Sequence, residues 1–97
     1  MKFLTANFRT DRGEIDLVMR DKDCLVFVEV KTRSSEKYAK AESAITYSKK
    51  LRMVKAARLF AKEYKLENYP LRFDVVIVMP DEKGKAVIRH YENAFVP

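Results

Sequence analysis

Cysteine, histidine and glycine are scarce in this chain, and their scarcity excludes several kinds of functional site. The single cysteine, Cys24, excludes a disulfide within the chain, and with only one histidine there is no zinc site of the cysteine or histidine type. Two glycines are too few for a glycine-rich loop around a phosphate group. Cys24 alternates with valines in an apolar stretch, so we expect it to lie in the core.

Long apolar stretches are missing as well. No stretch approaches the roughly 18 apolar residues that a membrane-spanning helix needs, and the N-terminus has no signal-peptide pattern. Apolar residues make up 47% of the chain and charged residues 35%, which is typical of a folded domain rather than a disordered chain. We therefore predict a single cytoplasmic domain spanning residues 1–97.

Basic side chains outnumber acidic ones by 20 to 14, and the excess is concentrated in the middle of the chain. Residues 31–65 carry 11 basic and three acidic side chains, whereas the segments before and after each have a net charge of −1. A basic segment of this kind predicts an anionic partner such as nucleic acid. A solvated, lysine-rich surface is the alternative interpretation.

A helix from about Tyr47 to Tyr64 is predicted within this basic segment. Neither glycine nor proline interrupts it, and Thr46 or Ser48 can cap its N-terminus. Its apolar residues recur at helical spacing, which predicts a buried face. These residues are Met53, Ala57, Phe60, Ala61 and Tyr64.

Basic residues crowd the first turns of the predicted helix. Cations at a helix N-terminus oppose the helix dipole, so these residues gain no stability from their position. None of them has an acidic partner four residues later. We therefore predict that they contact the phosphate backbone of nucleic acid. The helix residues predicted for this role are Lys49, Lys50, Arg52 and Lys55.

Two strand-like segments, residues 13–17 and 26–33, carry charged side chains at alternate positions. Alternate positions of a strand face the same side of the sheet. The first segment therefore presents two carboxylates on one face, opposite its apolar side chains, and the second presents a carboxylate and an ammonium group on one face. These side chains are Glu14 and Asp16, then Glu29 and Lys31.

A tight hairpin over residues 20–23 is predicted to bring the two segments together. If it closes symmetrically there, Glu14 lies opposite Glu29, and Asp16 lies one diagonal step from Glu29. Three carboxylates and the ammonium group of Lys31 would then converge on one patch.

Such a patch needs a cation, because like charges at cross-strand distance repel and raise each other's pKa. Mg²⁺ and similar hard ions bind carboxylate oxygens and keep several waters, which leaves room for a phosphate oxygen and a nucleophile. Lys31 can orient or activate the attacking water, or stabilise charge that develops on the phosphate. The alternative interpretation is an ordinary salt-bridged hairpin.

The segments after the helix predict two further strands. Residues 71–79 are almost continuously apolar, as expected of a strand buried on both faces, and residues 85–91 follow a turn and predict an antiparallel edge strand. Asp74 enters the buried strand, so we expect it to form a structural hydrogen bond or ion pair. For His90 we expect a surface or packing role, and Tyr38 is a candidate for stacking on a base.

The order of an aspartate, a hairpin and a Glu-x-Lys motif resembles the core of the PD-(D/E)XK nuclease superfamily. Small archaeal Holliday-junction resolvases of that superfamily share the spacing of thirteen residues between Asp16 and Glu29. More closely, the chain resembles the YraN-like family of bacterial endonuclease-like proteins. The matching segments are Gly-Glu-Ile-Asp-Leu from Gly13, Phe-Val-Glu-Val-Lys-Thr-Arg from Phe27, Asn7–Arg9, Lys49–Tyr64, Arg72–Val76 and Asn93–Phe95.

This resemblance implies an α/β fold with a restriction-endonuclease-like core, in which a helix flanks a mixed central sheet. It implies hydrolysis of DNA phosphodiester bonds with Mg²⁺ or Mn²⁺. Asp16, Glu29 and the carbonyl of Val30 would bind the metal, and Glu14 would be a further ligand or a base. Lys31 would position or activate the water.

Several narrower expectations also come from the resemblance. Thr32 and Arg33, from their expected position just beyond the strand that carries Glu29 and Lys31, would hold the scissile phosphate. Resolvases act on branched DNA as symmetric dimers, so branched DNA and a homodimer are implied. Members of the family usually begin with an additional helix, and we expect this chain to lack it.

Two alternatives to a nuclease stay open. The first is a nucleic-acid-binding module that has lost catalysis and uses the basic helix over residues 47–64. The second is a protein-interaction domain whose basic face meets an acidic partner, with no affinity for DNA.

The basic helix generates a prediction about salt. If about five phosphates are neutralised on binding, the logarithm of the DNA association constant should fall against the logarithm of salt concentration with a slope of roughly −4 to −5. Fluorescence anisotropy of a labelled oligonucleotide over a KCl series measures this slope. A slope near zero would contradict nucleic-acid binding.

Overall fold

The computed structural model describes residues 1–33 and 45–96, which form five β-strands and one α-helix. The strands make one sheet in the order β1-β2-β3-β4-β5. In chain order the elements are β1 (Lys2–Thr10), β2 (Gly13–Asp21), β3 (Cys24–Thr32), α1 (Tyr47–Glu63), β4 (Leu71–Pro80) and β5 (Ala86–Phe95).

The sheet is mixed. The pairs β1–β2, β2–β3 and β4–β5 are antiparallel, whereas β3 and β4 run parallel, and α1 lies between these two strands in the chain. This arrangement confirms the predicted α/β fold with a helix flanking a mixed sheet. The predicted edge strand is confirmed as β5 and runs on to Phe95, whereas β1 was not foreseen as a strand.

Helix α1 agrees closely with its predicted bounds. The side chain of Thr46 caps it, because its Oγ1 accepts the N–H of Lys49 at 3.1 Å. The expectation that Tyr64 lies in the core is wrong: the helix ends at Glu63, and Tyr64 is 55% exposed, although its ring centroid is 4.7 Å from that of Phe60. The helix, the only one among the described residues, is not long and apolar enough to cross a membrane.

Aromatic rings join the helix to the sheet. Phe60 of α1 packs edge-on against Phe8 of β1 and Phe27 of β3, with ring centroids 5.2 and 5.9 Å apart. Phe27 stacks in turn on Phe73 of β4, which stacks on Phe95 of β5. Because four strands and the helix share this chain of contacts, the position of α1 over the sheet is fixed.

Cys24 is half-buried rather than fully in the core, since it is the first residue of β3 and borders the hairpin turn. Burial still raises the pKa of its thiol. The residues that follow it, Leu25 to Val28, are buried on both faces of the sheet, as expected for a central strand with a parallel neighbour.

The predicted hairpin register between β2 and β3 is wrong. Asp21 pairs with Cys24 and Leu17 with Val28, so the turn consists of Lys22 and Asp23, one residue later than predicted. Lys22 adopts a left-handed conformation with φ of 57°, as tight hairpin turns require. When this register is continued, the residue opposite Glu29 is Asp16 and not Glu14.

Asp74 forms the structural ion pair that was predicted. It is fully buried and accepts two hydrogen bonds from the guanidinium of Arg72, both at 2.9 Å. It also lies 2.7 Å from Nε2 of His90 and accepts the N–H of Asn93 at 2.9 Å. Burial opposes ionisation, but the hydrogen bonds from Arg72, Asn93 and His90 outweigh it and hold the pKa of Asp74 below its usual value.

Replacing Asp74→Asn should destabilise the fold, because it leaves Arg72 without its buried counter-charge. We expect a loss of about 3 kcal/mol in the free energy of unfolding at pH 7, measured by urea titration. Glu92→Gln is the matched control, because Glu92 is an exposed carboxylate 4.0 Å from the same guanidinium and should contribute less than about 1 kcal/mol. Equal losses in the two variants would contradict the assigned role of Asp74.

Candidate functional site

Asp16 and Glu29 lie where β2 and β3 separate. The regular pairing of these strands ends at Leu17 and Val28, and the carboxylate of Asp16 accepts the N–H of Val30 at 2.8 Å. In a regular ladder of this register, that N–H would bond to a backbone carbonyl of β2. The Asp16 side chain therefore takes the place of a backbone acceptor and stands between the two strands.

A bend in the sheet turns Asp16 towards β3. Ile15 and Val18 are both buried in the core, although strict alternation would put them on opposite faces. The prediction of uniform alternation along β2 is therefore wrong at Asp16. Asn7, which lies opposite Asp16 on β1, has a left-handed backbone with φ of 54° and is missing from the regular pairing.

Glu29 lies on the sheet face covered by α1 and is only 4% exposed. Desolvation, followed by the hydrogen bond and the negative charge of Asp16, raises its pKa to about 7. The positive charges of Lys49 and Lys31 act in the opposite direction but do not cancel the shift. The Glu29 carboxylate is therefore poised between its two protonation states near neutral pH.

Lys49, in the first turn of α1, contacts this carboxylate directly. Its Nζ is 3.3 Å from Oε2 of Glu29, and its side chain is only 24% exposed. The sequence suggested an external anion for Lys49, whereas the structure gives it an anionic partner within the chain. Contact of Lys49 with nucleic acid stays a prediction.

Lys31 follows Glu29 on the same face of β3 and is half-buried. Thr32, exposed at the end of β3, and Arg33 come next. The N–H of Arg33 donates to the carbonyl of Val78 at 2.9 Å, which ties the end of β3 to β4. Thr32 is therefore the last residue of β3 rather than beyond it, and the roles of these residues towards a phosphate stay predictions.

Glu14 does not join Asp16 and Glu29. It pairs with Arg9 of β1, whose Nε is 3.3 Å from Oε2 of Glu14, and its side chain is half-exposed. The expected convergence of three carboxylates is wrong because the true register moves Glu14 past Glu29. Within residues 1–33 and 45–96, no group of three or more acidic, cysteine or histidine side chains is placed to hold a metal. A ligand or base role for Glu14 stays a prediction.

The remaining donor set still fits a hard divalent cation. Asp16 and Glu29 supply two adjacent carboxylates, and Val30 supplies a neighbouring backbone carbonyl. Mg²⁺ commonly takes only one or two carboxylates and keeps waters in its other positions. The raised pKa of Glu29 shows that a negative charge here lacks sufficient compensation, which a bound cation would provide.

The other predicted contacts on α1 have different surroundings. Nζ of Lys50 lies 5.5 Å from the ring centroid of Phe95, and Nη2 of Arg52 donates to Oγ of Ser48 at 3.3 Å. Lys55 is exposed. Tyr38, the candidate for base stacking, lies outside the described residues.

Comparison with known proteins identifies the family. Residues 1–78 match the model of the uncharacterised protein family UPF0102. The chain belongs to this family. The finding confirms the YraN-like resemblance inferred from the motifs.

Several UPF0102 proteins are similar over most of their length. One from Thermodesulfovibrio yellowstonii is 43% identical over 94 residues, which cover 97% of this chain and 79% of the relative. One from Symbiobacterium thermophilum is 40% identical, with 97% and 80% covered. One from Clostridium acetobutylicum is 37% identical, with 95% and 76% covered. Their names carry no activity, substrate or partner.

Sequence reasoning missed two arginines of this UPF0102 chain. Arg9 lies near the end of β1 and Arg12 in the turn between β1 and β2, and they line a cleft of about 340 Å³ together with Lys49 and Arg52. The sequence signal was the pair of arginines just before Gly13, but their relation to α1 depends on the fold. His90 belongs to the Asp74 cluster, on the face of the sheet opposite Glu29.

The raised pKa of Glu29 predicts how stability depends on pH. The folded protein binds the Glu29 proton more tightly than the unfolded chain, so the stability from this group is lost as pH rises from about 4.5 to about 7. Glu29→Gln mimics the protonated form and escapes this loss. Between pH 4.5 and pH 8 the variant should gain on the order of 3 kcal/mol relative to the parent.

Urea unfolding at several pH values, with EDTA present, measures this difference. Glu14→Gln is the control, because its half-exposed carboxyl should give a much smaller pH-dependent difference. If the difference in the free energy of unfolding between Glu29→Gln and the parent stays constant over this pH range, the raised pKa of the buried Glu29 carboxyl would be contradicted.

Proposed function

We propose that this UPF0102 protein is a metal-dependent DNA endonuclease that hydrolyses phosphodiester bonds in the cytoplasm. The observation that carries the proposal is the contact of Asp16 with the backbone beside Glu29, on the face of the sheet that also presents Lys31. Paired carboxylates next to a lysine are suited to phosphodiester hydrolysis, because they combine a cation site with a fixed ammonium group.

Asp16, Glu29 and the carbonyl of Val30 are the residues that would hold Mg²⁺ or Mn²⁺. When bound, the ion supplies positive charge next to the phosphate and lowers the pKa of a water molecule. Glu29 must give up its proton to bind a cation, and its pKa of about 7 allows this near neutral pH.

Lys31 and Lys49 contribute the fixed positive charge of the site. Lys31 would orient the attacking water, or stabilise the negative charge that develops on the phosphate oxygens. Lys49 would hold the Glu29 carboxylate in its present orientation through their 3.3 Å contact. Thr32 and Arg33 would bind the scissile phosphate, because they directly follow Lys31 at the end of β3.

Branched DNA is the substrate that we propose within this class. It rests on the shared spacing of Asp16 and Glu29 in the Holliday-junction resolvases. A four-way junction has two-fold symmetry, so a homodimer would present one site to each of two equivalent strands.

A second candidate function is a nucleic-acid-binding module without catalysis. The observation that favours it is the ion pair between Lys49 and Glu29, since an internal ammonium group already offsets part of the carboxylate charge. This candidate keeps DNA affinity but gives Glu29 a purely structural role.

DNA cleavage tests the proposal directly. Labelled four-way junction, flap, single-stranded and duplex DNA are incubated with the protein and Mg²⁺ or Mn²⁺. We expect the parent to nick at least one of them, and we expect Glu29→Gln and Lys31→Ala each to lower the rate by 100-fold or more, in the range of about 10² to 10⁴ for a catalytic group. Glu92→Gln, distant from the site, should match the parent.

Metal binding gives an independent prediction that needs no DNA. At a concentration 100 times Kd, Mg²⁺ or Mn²⁺ should add about 2.7 kcal/mol to the free energy of unfolding of the parent. Its melting temperature should therefore rise. Glu29→Gln should abolish this rise. DNA binding in the parent with neither a metal-dependent rise nor cleavage would favour the second candidate function.

A further inference from the structure

A groove runs between the turn of β1 and β2 and the polar face of α1. One cleft in it, of about 340 Å³, is lined by Arg9, Arg12 and Arg52, among others. A neighbouring cleft of about 310 Å³ is lined by Arg12, Lys55 and helix residues up to Lys62. Because Arg12 lines both, the two clefts are adjacent. We name this feature, between residues 9–14 and 49–62, the hairpin groove.

The two walls of the groove are held in close contact. A Cβ atom added at Gly13 would lie 2.9 Å from both the Cβ and the carbonyl oxygen of Arg52, so only glycine lets the turn approach the helix this closely. Within the turn, Oγ1 of Thr10 accepts the N–H groups of Arg12 and Gly13 at 3.0 and 3.1 Å. The groove is therefore built into the fold and does not depend on a loose surface loop.

Positive charge dominates the groove. From Arg52 to Lys62, α1 carries four basic side chains and no acidic one: Arg52, Lys55, Arg58 and Lys62. On the facing side, Arg9 is paired with Glu14 at 3.3 Å, whereas within residues 1–33 and 45–96 Arg12 forms only a marginal ion pair, 4.0 Å from the neighbouring Asp11. Arg12 is exposed and faces the helix cations across the groove.

The shape of this charge favours a polyanion over a single ion. The row from Arg52 to Lys62 is about 15 Å long at 1.5 Å per residue. A nucleic-acid strand carries one phosphate per about 3.4 Å of helix axis, so the row matches several consecutive phosphates. A lone phosphate or carboxylate would occupy only part of it.

One end of the groove reaches the candidate catalytic carboxylate. Lys49 lines the cleft beside Arg9 and Arg52, and its Nζ is 3.3 Å from Glu29. A DNA strand lying in the groove would therefore pass next to the residues that we propose for phosphodiester hydrolysis.

We propose that the hairpin groove binds the phosphodiester backbone of DNA, with Arg12 contacting it from the β1–β2 turn and Arg52 and Lys55 contacting it from α1. The inference rests on the proposed function for its ligand class, and it adds a second wall to the binding surface. The DNA backbone is gripped between a hairpin and a helix rather than resting on the helix alone.

The test measures DNA affinity without cleavage, by fluorescence anisotropy of labelled four-way junction and single-stranded DNA in EDTA over a KCl series. Arg12→Gln should weaken binding about fivefold to tenfold at 0.1 M salt and reduce the magnitude of the log–log slope by about 0.9. Arg52→Gln should do the same. Arg12→Lys keeps the charge and should restore the parent slope.

Lys83→Gln is the matched control. Lys83 is an exposed cation in the β4–β5 turn, outside the groove, so this variant loses the same net charge and should keep the parent affinity and slope. Circular dichroism of each variant checks that the fold is unchanged.

The outcomes separate the groove from the nuclease. In one outcome, Arg12→Gln binds DNA with the same affinity and salt slope as Lys83→Gln, while Arg52→Gln binds weakly. This result would refute DNA binding in the groove and leave the nuclease proposal standing. In a second outcome, Arg12→Gln loses DNA binding, and the parent cleaves no DNA with any metal. This result would support DNA binding in the groove and refute the nuclease proposal. A parent without affinity for DNA at low salt would overturn the groove and indicate another anionic partner, such as an acidic protein.

Discussion

The site depends on one hydrogen bond, from the N–H of Val30 to the carboxylate of Asp16. Where β2 and β3 separate, a central strand would be left with an unpaired backbone donor, which is costly away from water. The Asp16 carboxylate satisfies that donor and is held there next to Glu29. Burial raises the pKa of Glu29, and the Asp16 carboxylate held beside it raises that pKa further, so the position of Asp16 links the end of strand pairing to the electrostatics of the site.

A second carboxylate in the sheet also accepts a backbone N–H where strand pairing is irregular, and this one has a structural role. On the other face, the carboxylate of Asp74 accepts the N–H of Asn93 where the pairing of β4 and β5 shifts register. Asn93 has a left-handed backbone, as Asn7 has opposite Asp16. Asp74, however, is surrounded by Arg72 and His90, and its pKa is lowered. Its charge is therefore satisfied, whereas the charge of Glu29 is not.

Lys49 joins the two parts of the candidate site. It belongs to the basic helix and to the cleft beside the β1–β2 turn, yet its ammonium group reaches Glu29 on the sheet. Aromatic packing of Phe60 against Phe8 and Phe27 fixes the helix in the position that makes this contact possible. Changes in the core near Phe60 would therefore alter the spacing between the carboxylates and the basic groove.

The sequence by itself determined the helix, the strands after β1 and the residue types of the site. Apolar periodicity located α1, a nearly continuous apolar stretch located β4, and the turn before residue 85 located β5. The Asp16 and Glu-x-Lys motifs indicated the family, because these features depend on local sequence. The tertiary structure alone decided the hairpin register, the separation of Glu14 from Glu29, and the pairing of Lys49 with Glu29. A shift of the turn by a single residue, together with a bend at Asp16, changes which side chains meet. Arg12 joined the groove for the same reason: contacts between distant segments depend on how the sheet and helix pack, which local patterns do not encode.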